Sequence, residues 1–162
     1  MAQVEKRTGS SGRTLPRPAA ARASSMQRLV RDLMTEKVFT LQPGDNLVAL
    51  EDLMDAHRVR HVPVVDRDGD LVGLVTQRDL ARGVLGRLDD VPMSVERDVL
   101  RSRRIREIMT TEPETVEPET SLREAAQMLL EDKIGCLPVV EGMHLVGILT
   151  EADFVRDYVE RS

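Results

Sequence analysis

Aromatic side chains are nearly missing from this chain. Phe39, Phe154 and Tyr158 are the whole set in 162 residues, and there is no tryptophan. A surface that stacks successive nucleic-acid bases needs more than that. The core must be aliphatic. Cysteine is reduced to Cys136, so no intramolecular disulfide and no cysteine-based zinc site can form. Set in an apolar stretch, Cys136 reads as a small buried hydrophobe in a protein of a reducing, cytoplasmic setting. His57, His61 and His144 lie on different elements without metal-ligand spacing, which argues against a metal site. No apolar run approaches the ~18 residues of a membrane span, and no signal-peptide pattern opens the chain. A membrane partner is therefore not expected.

Charge, by contrast, is plentiful and uneven. Charged residues make up 31% and hydrophobic residues 41%, an ordinary globular balance with a net charge of -5. Within residues 1–29, Lys6, Arg7, Arg13, Arg17, Arg22 and Arg28 stand against Glu5 alone, so this end carries +5 and the remainder -10. Residues 1–25 are rich in Ser, Gly, Pro, Arg and Ala with no apolar period, which predicts a disordered basic tail. Such a tail on an acidic body offers a contact for nucleic acid or anionic lipid. A merely solvated tail is the plainer reading.

The rest of the chain is written twice. Val30-Arg-Asp-Leu-Met-Thr35 matches Ile105-Arg-Glu-Ile-Met-Thr110, and His61-Val-Pro-Val-Val65 matches Cys136-Leu-Pro-Val-Val140, both at an offset of 75 residues. Leu71-Val-Gly-Leu-Val-Thr-Gln-Arg-Asp-Leu80 then matches Leu145-Val-Gly-Ile-Leu-Thr-Glu-Ala-Asp-Phe154 at an offset of 74. Order-preserving matches of this kind mean duplication. The organisation predicted is a tail over 1–25, a first repeat over 26–86, a linker over 87–104 and a second repeat over 105–162. One repeat of this size buries too little apolar surface to be comfortable alone, so the two should pack together.

Each repeat reads as β-α-β-β-α. A short extended segment, 38–41 or 114–116, leads through a turn into an amphipathic helix. Leu47, Leu50, Leu53 and Met54 mark the inner face of the first helix, with Asp45 or Asn46 as its cap. Leu122, Ala125, Ala126, Leu129 and Leu130 mark the second, with Ser121 and Glu124 as a capping box and Gly135 as its stop. Two short apolar strands follow, near 62–66 with 70–75 and near 137–140 with 144–149, joined as hairpins through Gly69 and Gly142. A last helix opens at Thr76 or Thr150.

Those two strand-to-helix junctions carry the chemistry. Each has Thr-x-x-Asp: Thr76 with Asp79, and Thr150 with Asp153. Unpaired backbone N–H groups at a helix start attract anions and polyols. The same pattern is also a capping box, in which the two side chains satisfy only the backbone. Both uses can coexist, since a hydroxyl and a carboxylate each have spare hydrogen-bonding capacity.

The Met-Thr openings, the Val-Pro-Val-Val strand and the Val-Gly-Leu-Val-Thr-Gln-Arg-Asp segment, each with a second copy, resemble the CBS domain. A tandem pair over roughly 28–158 resembles a stand-alone Bateman module. The resemblance implies an α+β fold of tandem CBS repeats packed sheet to sheet about a pseudo-two-fold axis, often as a homodimer. It implies an adenosine-containing ligand, an adenine nucleotide or an S-adenosyl compound, in the cleft between repeats, with no required cofactor. By that resemblance Asp79 and Asp153 accept from the ribose hydroxyls, and Thr76 and Thr150 face ribose or phosphate. Val38, Phe39 and Val59 would face the ligand held by Thr150 and Asp153. Pro113, Glu114 and Ile134 would face the one held by Thr76 and Asp79. Leu74 and Ile148 would wall the slots.

Arg60, His61 and Arg78 are cations of the first repeat whose counterparts are Gly135, Cys136 and Ala152. This asymmetry predicts that the Asp79 junction is the better phosphate site, unless these are solvated surface charges. The function implied is a regulatory module that senses the ligand and signals to an effector protein not identified by sequence. The alternative is a structural or nucleic-acid-binding adaptor using the paired repeats as scaffold and the basic tail as contact. No nucleophile–base arrangement is present, which argues against an enzyme.

Overall fold

The computed structural model describes residues 27–85 and 93–162. The predicted tail and the breakers Gly86 and Pro92 lie outside the described residues. The element order is a 3-10 turn Val30–Asp32, α1 (Leu47–His57), β1 (His61–Val65), β2 (Leu71–Thr76), α2 (Gln77–Leu85) and α3 (Met93–Ser102). A second 3-10 turn Ile105–Glu107, α4 (Leu122–Asp132), β3 (Cys136–Glu141), β4 (His144–Thr150) and α5 (Glu151–Arg161) complete it. Each repeat is a mixed α/β unit with one small antiparallel sheet. The stretch expected as a linker holds α3, whose Leu100 is buried against the first repeat.

The helices form where the apolar spacing and caps place them. In α1, Leu47, Leu50 and Met54 are buried, and Asn46 Oδ1 accepts from the Ala49 N–H at 2.9 Å. In α4, Leu122, Ala125 and Leu129 are buried, and Ser121 Oγ accepts from the Glu124 N–H at 3.1 Å. Each such cap stabilises its helix by about 1 kcal/mol. Leu130, expected inside, is 75% exposed, because it is turned about 100° from Leu129 on the helix wheel. Both helices end on a non-glycine residue in the left-handed region, Arg58 (φ 53) and Lys133 (φ 54), and not at Gly135.

The hairpins pair His61 with Thr76 and Cys136 with Thr150, and each has one register shift, at Val64/Val65 and Val139/Val140. The extended segments 38–41 and 114–116 add a single parallel bridge each, Leu41 to Val64 and Val116 to Val139. On the far side each hairpin is bridged by the other repeat. Thr35 exchanges backbone hydrogen bonds with Ile148 at 2.9 and 3.0 Å, and Thr110 does so with Leu74 at 2.8 and 2.9 Å.

The openings are therefore exchanged. Val30 is buried in the core of the second repeat with Val116, Leu122, Leu129, Leu137 and Leu149. Ile105 is buried in the core of the first with Leu47, Leu50, Val62, Val64 and Val75. A fully buried aliphatic side chain of this size contributes about 1.5–3 kcal/mol, so each opening is a structural part of the opposite half. Gly73 and Gly147 make the exchange sterically possible. A Cβ on Gly73 would lie 2.7 Å from Met109 Sδ, and one on Gly147 would lie 2.7 Å from Met34 Sδ. The hairpin turns also meet at the pseudo-dyad, where the Leu71 N–H donates to Met143 at 2.8 Å and the Leu145 N–H to Gly69 at 3.2 Å.

Candidate functional site

The two Thr-x-x-Asp junctions share the same cap at one carboxylate oxygen. Asp79 Oδ2 accepts from the Thr76 N–H and from Thr76 Oγ1, both at 2.8 Å. Asp153 Oδ2 accepts from the Thr150 N–H and Oγ1, again both at 2.8 Å. The capping use of the motif is thus realised, and it occupies one carboxylate oxygen. A carboxylate has about four acceptor positions, so the other oxygen retains capacity. Asp153 is the one buried charged side chain among the described residues, at 6% exposure. Its Oδ1 has a partner of its own, Arg156, at 3.3 Å.

A cavity of about 540 Å³ lies against the Asp153 junction and draws its walls from both repeats. The second repeat supplies Ile148, Thr150, Glu151, Asp153 and Arg156. The first supplies Thr35, Val38, Phe39, Val59 and His61. Six of the residues singled out by sequence for this junction, Val38, Phe39, Val59, Ile148, Thr150 and Asp153, are thereby brought together. Phe39 is stacked on His57, with ring centroids 3.7 Å apart and planes 17° apart. That contact gives an otherwise exposed ring a fixed plane beside the cavity. Lys37, Arg58 and Arg60 join Arg156 in the lining, so four cations face two carboxylates.

This placement corrects the expected distribution of charge. Arg60 and His61 belong to the first repeat in sequence, but they line the cavity of the Asp153 junction. The reason is geometric. They lie at the start of β1, and the repeats face each other across the pseudo-dyad, so the entry of one hairpin overlooks the helix start of the other. His61 rests on the opposite repeat, where a Cβ on Gly135 would be 2.8 Å from its Nε2. Burial pushes the His61 pKa down, Arg60 adds to the fall, and the carboxylates of Glu151 and Asp79 oppose it. Burial thus favours the neutral imidazole over the cation that its sequence position suggested.

Arg58 and Lys37 were not anticipated. Arg58 holds a left-handed conformation that usually selects glycine, and an arginine there beside a cavity is a signal visible only once φ is known. Around Asp79 the structure shows the cap and the Leu74–Thr110 bridge. Arg78 is exposed on α2, Pro113 is half-buried, Glu114 is exposed, and Ile134 packs against the second core. Cys136 is 2% exposed, and burial pushes its thiol up to about 12. Among the described residues no group of three or more His, Cys, Asp or Glu could hold a metal ion, and no helix is long and apolar enough to cross a membrane.

Comparison with known proteins bears on this site. The family model for the CBS domain matches residues 30–86 and 105–160. A CBS domain-containing protein of Dictyostelium discoideum is 34% identical over 137 residues, covering 80% of this chain and 90% of that protein. Homoserine O-acetyltransferase of Methanocorpusculum labreanum is 34% identical over 122 residues, covering 75% of this chain. The chain spans only 22% of that enzyme's length. Among solved structures, CBSX2 in complex with AMP is 28% identical with a TM-score of 0.70, covering 82% of this chain and 97% of that one. The CBS domain pair of protein MJ0100, in complex with 5-methylthioadenosine and S-adenosyl-L-methionine, is 25% identical with a TM-score of 0.69. That likeness covers 83% of this chain and 98% of that one.

Proposed function

The chain belongs to the CBS domain family, and on that premise we propose that it is a regulatory module that binds a phosphorylated adenosine compound in the cleft at Asp153. The observation that carries the reading is the two-repeat cavity itself. It combines a buried carboxylate at a helix start, an aliphatic and aromatic wall, and four cations. A ribose diol suits the carboxylate, since hydroxyls donating to an ionised acceptor make stronger bonds than neutral pairs. The adenine ring suits Val38, Phe39, Val59 and Ile148. The phosphate suits Lys37, Arg58, Arg60 and Arg156, which outnumber Glu151 and Asp153. Solved relatives in complex with AMP, and with 5-methylthioadenosine and S-adenosyl-L-methionine, support the ligand class. The cation excess favours the nucleotide over a positively charged S-adenosyl compound.

The Asp79 junction, with Thr76, Arg78, Leu74, Pro113, Glu114 and Ile134, is the second candidate site by pseudo-symmetry. Ligand binding would alter how the repeats pack and hence the surface shown to an effector or to a second copy of the chain. It can do so only by its differential affinity for the two packings. In this reading the chain is a sensor and not a catalyst.

Isothermal titration of AMP into the wild type, Asp79→Ala and Asp153→Ala tests it. Losing charge-assisted bonds of about 1.5–3 kcal/mol each weakens binding about tenfold to a hundredfold or more in Asp153→Ala. Equal heats in all three proteins would remove the carboxylates from the site.

A further inference from the structure

The geometry points to Arg156 as a latch on Asp153 that makes the cleft select ligands bearing an anionic group. This inference rests on the nucleotide reading above and goes beyond it, because it assigns the selectivity to one residue and gives it a distinctive sign.

Arg156 stands one turn after Asp153 on α5, so both side chains emerge on the same helix face. The Arg156 guanidinium donates to Asp153 Oδ1 at 3.3 Å. The Thr150 N–H and hydroxyl already hold Oδ2. Both oxygens of this carboxylate are therefore engaged before any ligand arrives. The pair is unequal in exposure: the Asp153 side chain is 7% exposed and that of Arg156 64%. The carboxylate is buried and held by Thr150, and the guanidinium is exposed to solvent. Both residues line the cavity, together with Lys37, Arg58 and Arg60. At the first junction, 74 residues earlier, Arg82 and Asp79 make no such bond among the described residues.

A ribose diol docking on Asp153 competes with Arg156 for Oδ1. A ligand that carries a phosphate offers Arg156 a replacement anion within the same cavity, so one charge-assisted pair is exchanged for another. A neutral nucleoside offers none. It must displace the guanidinium without compensation, or share the carboxylate with it. Arg156 thus acts twice, attracting phosphate and obstructing ligands that lack it.

Titration calorimetry of the full chain with AMP and with adenosine, in the wild type and in Arg156→Gln, separates this from a simple phosphate contact. The exposure of Arg156 means that the substitution removes little packing, and the far-ultraviolet circular dichroism spectrum and melting temperature confirm that the fold is kept. The expected result is opposite in sign for the two ligands. AMP weakens by about tenfold, while adenosine tightens by about two- to fivefold, the range of an exposed ion pair. Arg156→Lys, which keeps the charge but loses the planar fork, falls between. Adenosine affinity that is unchanged or reduced in Arg156→Gln overturns the latch even if AMP weakens. Unchanged affinity for both ligands overturns it as well. Absence of AMP binding to the wild type defeats the nucleotide reading itself, a result distinct from both.

Discussion

Replacing Gly147 by alanine tests the exchange of openings between the repeats. Gly147 lies in β4 opposite Val139, and its φ is not positive, so alanine meets no backbone strain there. The difficulty is space. An added Cβ would stand 2.7 Å from Met34 Sδ, 3.3 Å from Met34 Cγ and 3.2 Å from the Thr35 carbonyl oxygen. The thioether is the end of a flexible side chain and can rotate away. The Thr35 carbonyl cannot, because it accepts from the Ile148 N–H at 3.0 Å while the Thr35 N–H donates to Ile148 at 2.9 Å. Relief therefore requires the opening segment to shift by a few tenths of an ångström, and Val30 with it. Overpacking of this kind costs about 1–3 kcal/mol, or a fall of about 2–12 °C in melting temperature for a chain of this size.

Urea unfolding followed by circular dichroism reads the effect, and a double-mutant cycle locates it. In a Met34→Ala background most of the Gly147→Ala penalty should remain, because the contact with the Thr35 carbonyl is still there. Gly44 is the control: a Cβ added there would meet nothing within 4 Å, and its φ is not positive, so Gly44→Ala should be neutral or slightly stabilising. An unchanged midpoint in Gly147→Ala, or a penalty that vanishes with Met34→Ala, would refute the reasoning.

Two further outcomes follow from the surface. Arg28 donates to both carboxylate oxygens of Asp157, at 2.6 and 2.8 Å, and Arg161 donates to it at 2.8 Å; these bonds hold the Asp157 pKa down to about 2 from 3.8. The folded state therefore favours the ionised form: its contribution is complete above about pH 4 and is lost as pH falls toward 2. The stability gap between wild type and Asp157→Asn, measured by urea titration, should close over that interval; a gap constant down to pH 2 would contradict it. Lys133 is exposed in the left-handed region at φ 54, so Lys133→Gly should stabilise by about 0.5–1 kcal/mol, read as a rise in melting temperature.

Much of this fold was legible because local signals agreed with one another. The apolar spacing of Leu47, Leu50 and Met54, the caps at Asn46 and Ser121, and the paired Val-Pro-Val-Val strands each predicted the element that formed. The Thr-x-x-Asp pattern was legible as a cap for the same reason, since both partners lie within one turn. What sequence did not supply was contact across the pseudo-dyad. Position in the first repeat assigned Arg60 and His61 to the Asp79 junction, whereas the facing arrangement of the halves places them at the other. Arg58 lacks any sequence mark, because its left-handed conformation is imposed by the turn from α1 into β1. The helix α3 was hidden for a different reason: it falls between the matched segments, so duplication says nothing about it.

The exchanged openings also decide what a structural half of this protein is. The segment 26–86, expected from sequence as one repeat, lacks Ile105 and Leu100, both buried in the first core. It also lacks the backbone bonds from Ile105 to Asp45 at 2.9 Å and from Leu47 to Arg103 at 3.2 Å, and the Thr110 bridge that covers the edge of β2. A segment over 36–110 keeps all of these and leaves out only the opening that belongs to the second core. Two missing aliphatic side chains alone represent about 3–6 kcal/mol of burial, a large share of the roughly 5–15 kcal/mol that holds a domain together. The 36–110 segment should therefore unfold cooperatively in urea, whereas 26–86 should show no cooperative transition. If 26–86 melted as sharply as 36–110, the openings would be ornaments on independently stable repeats, and a displacement of Thr35 at the cleft could not be felt in the core that Val30 enters.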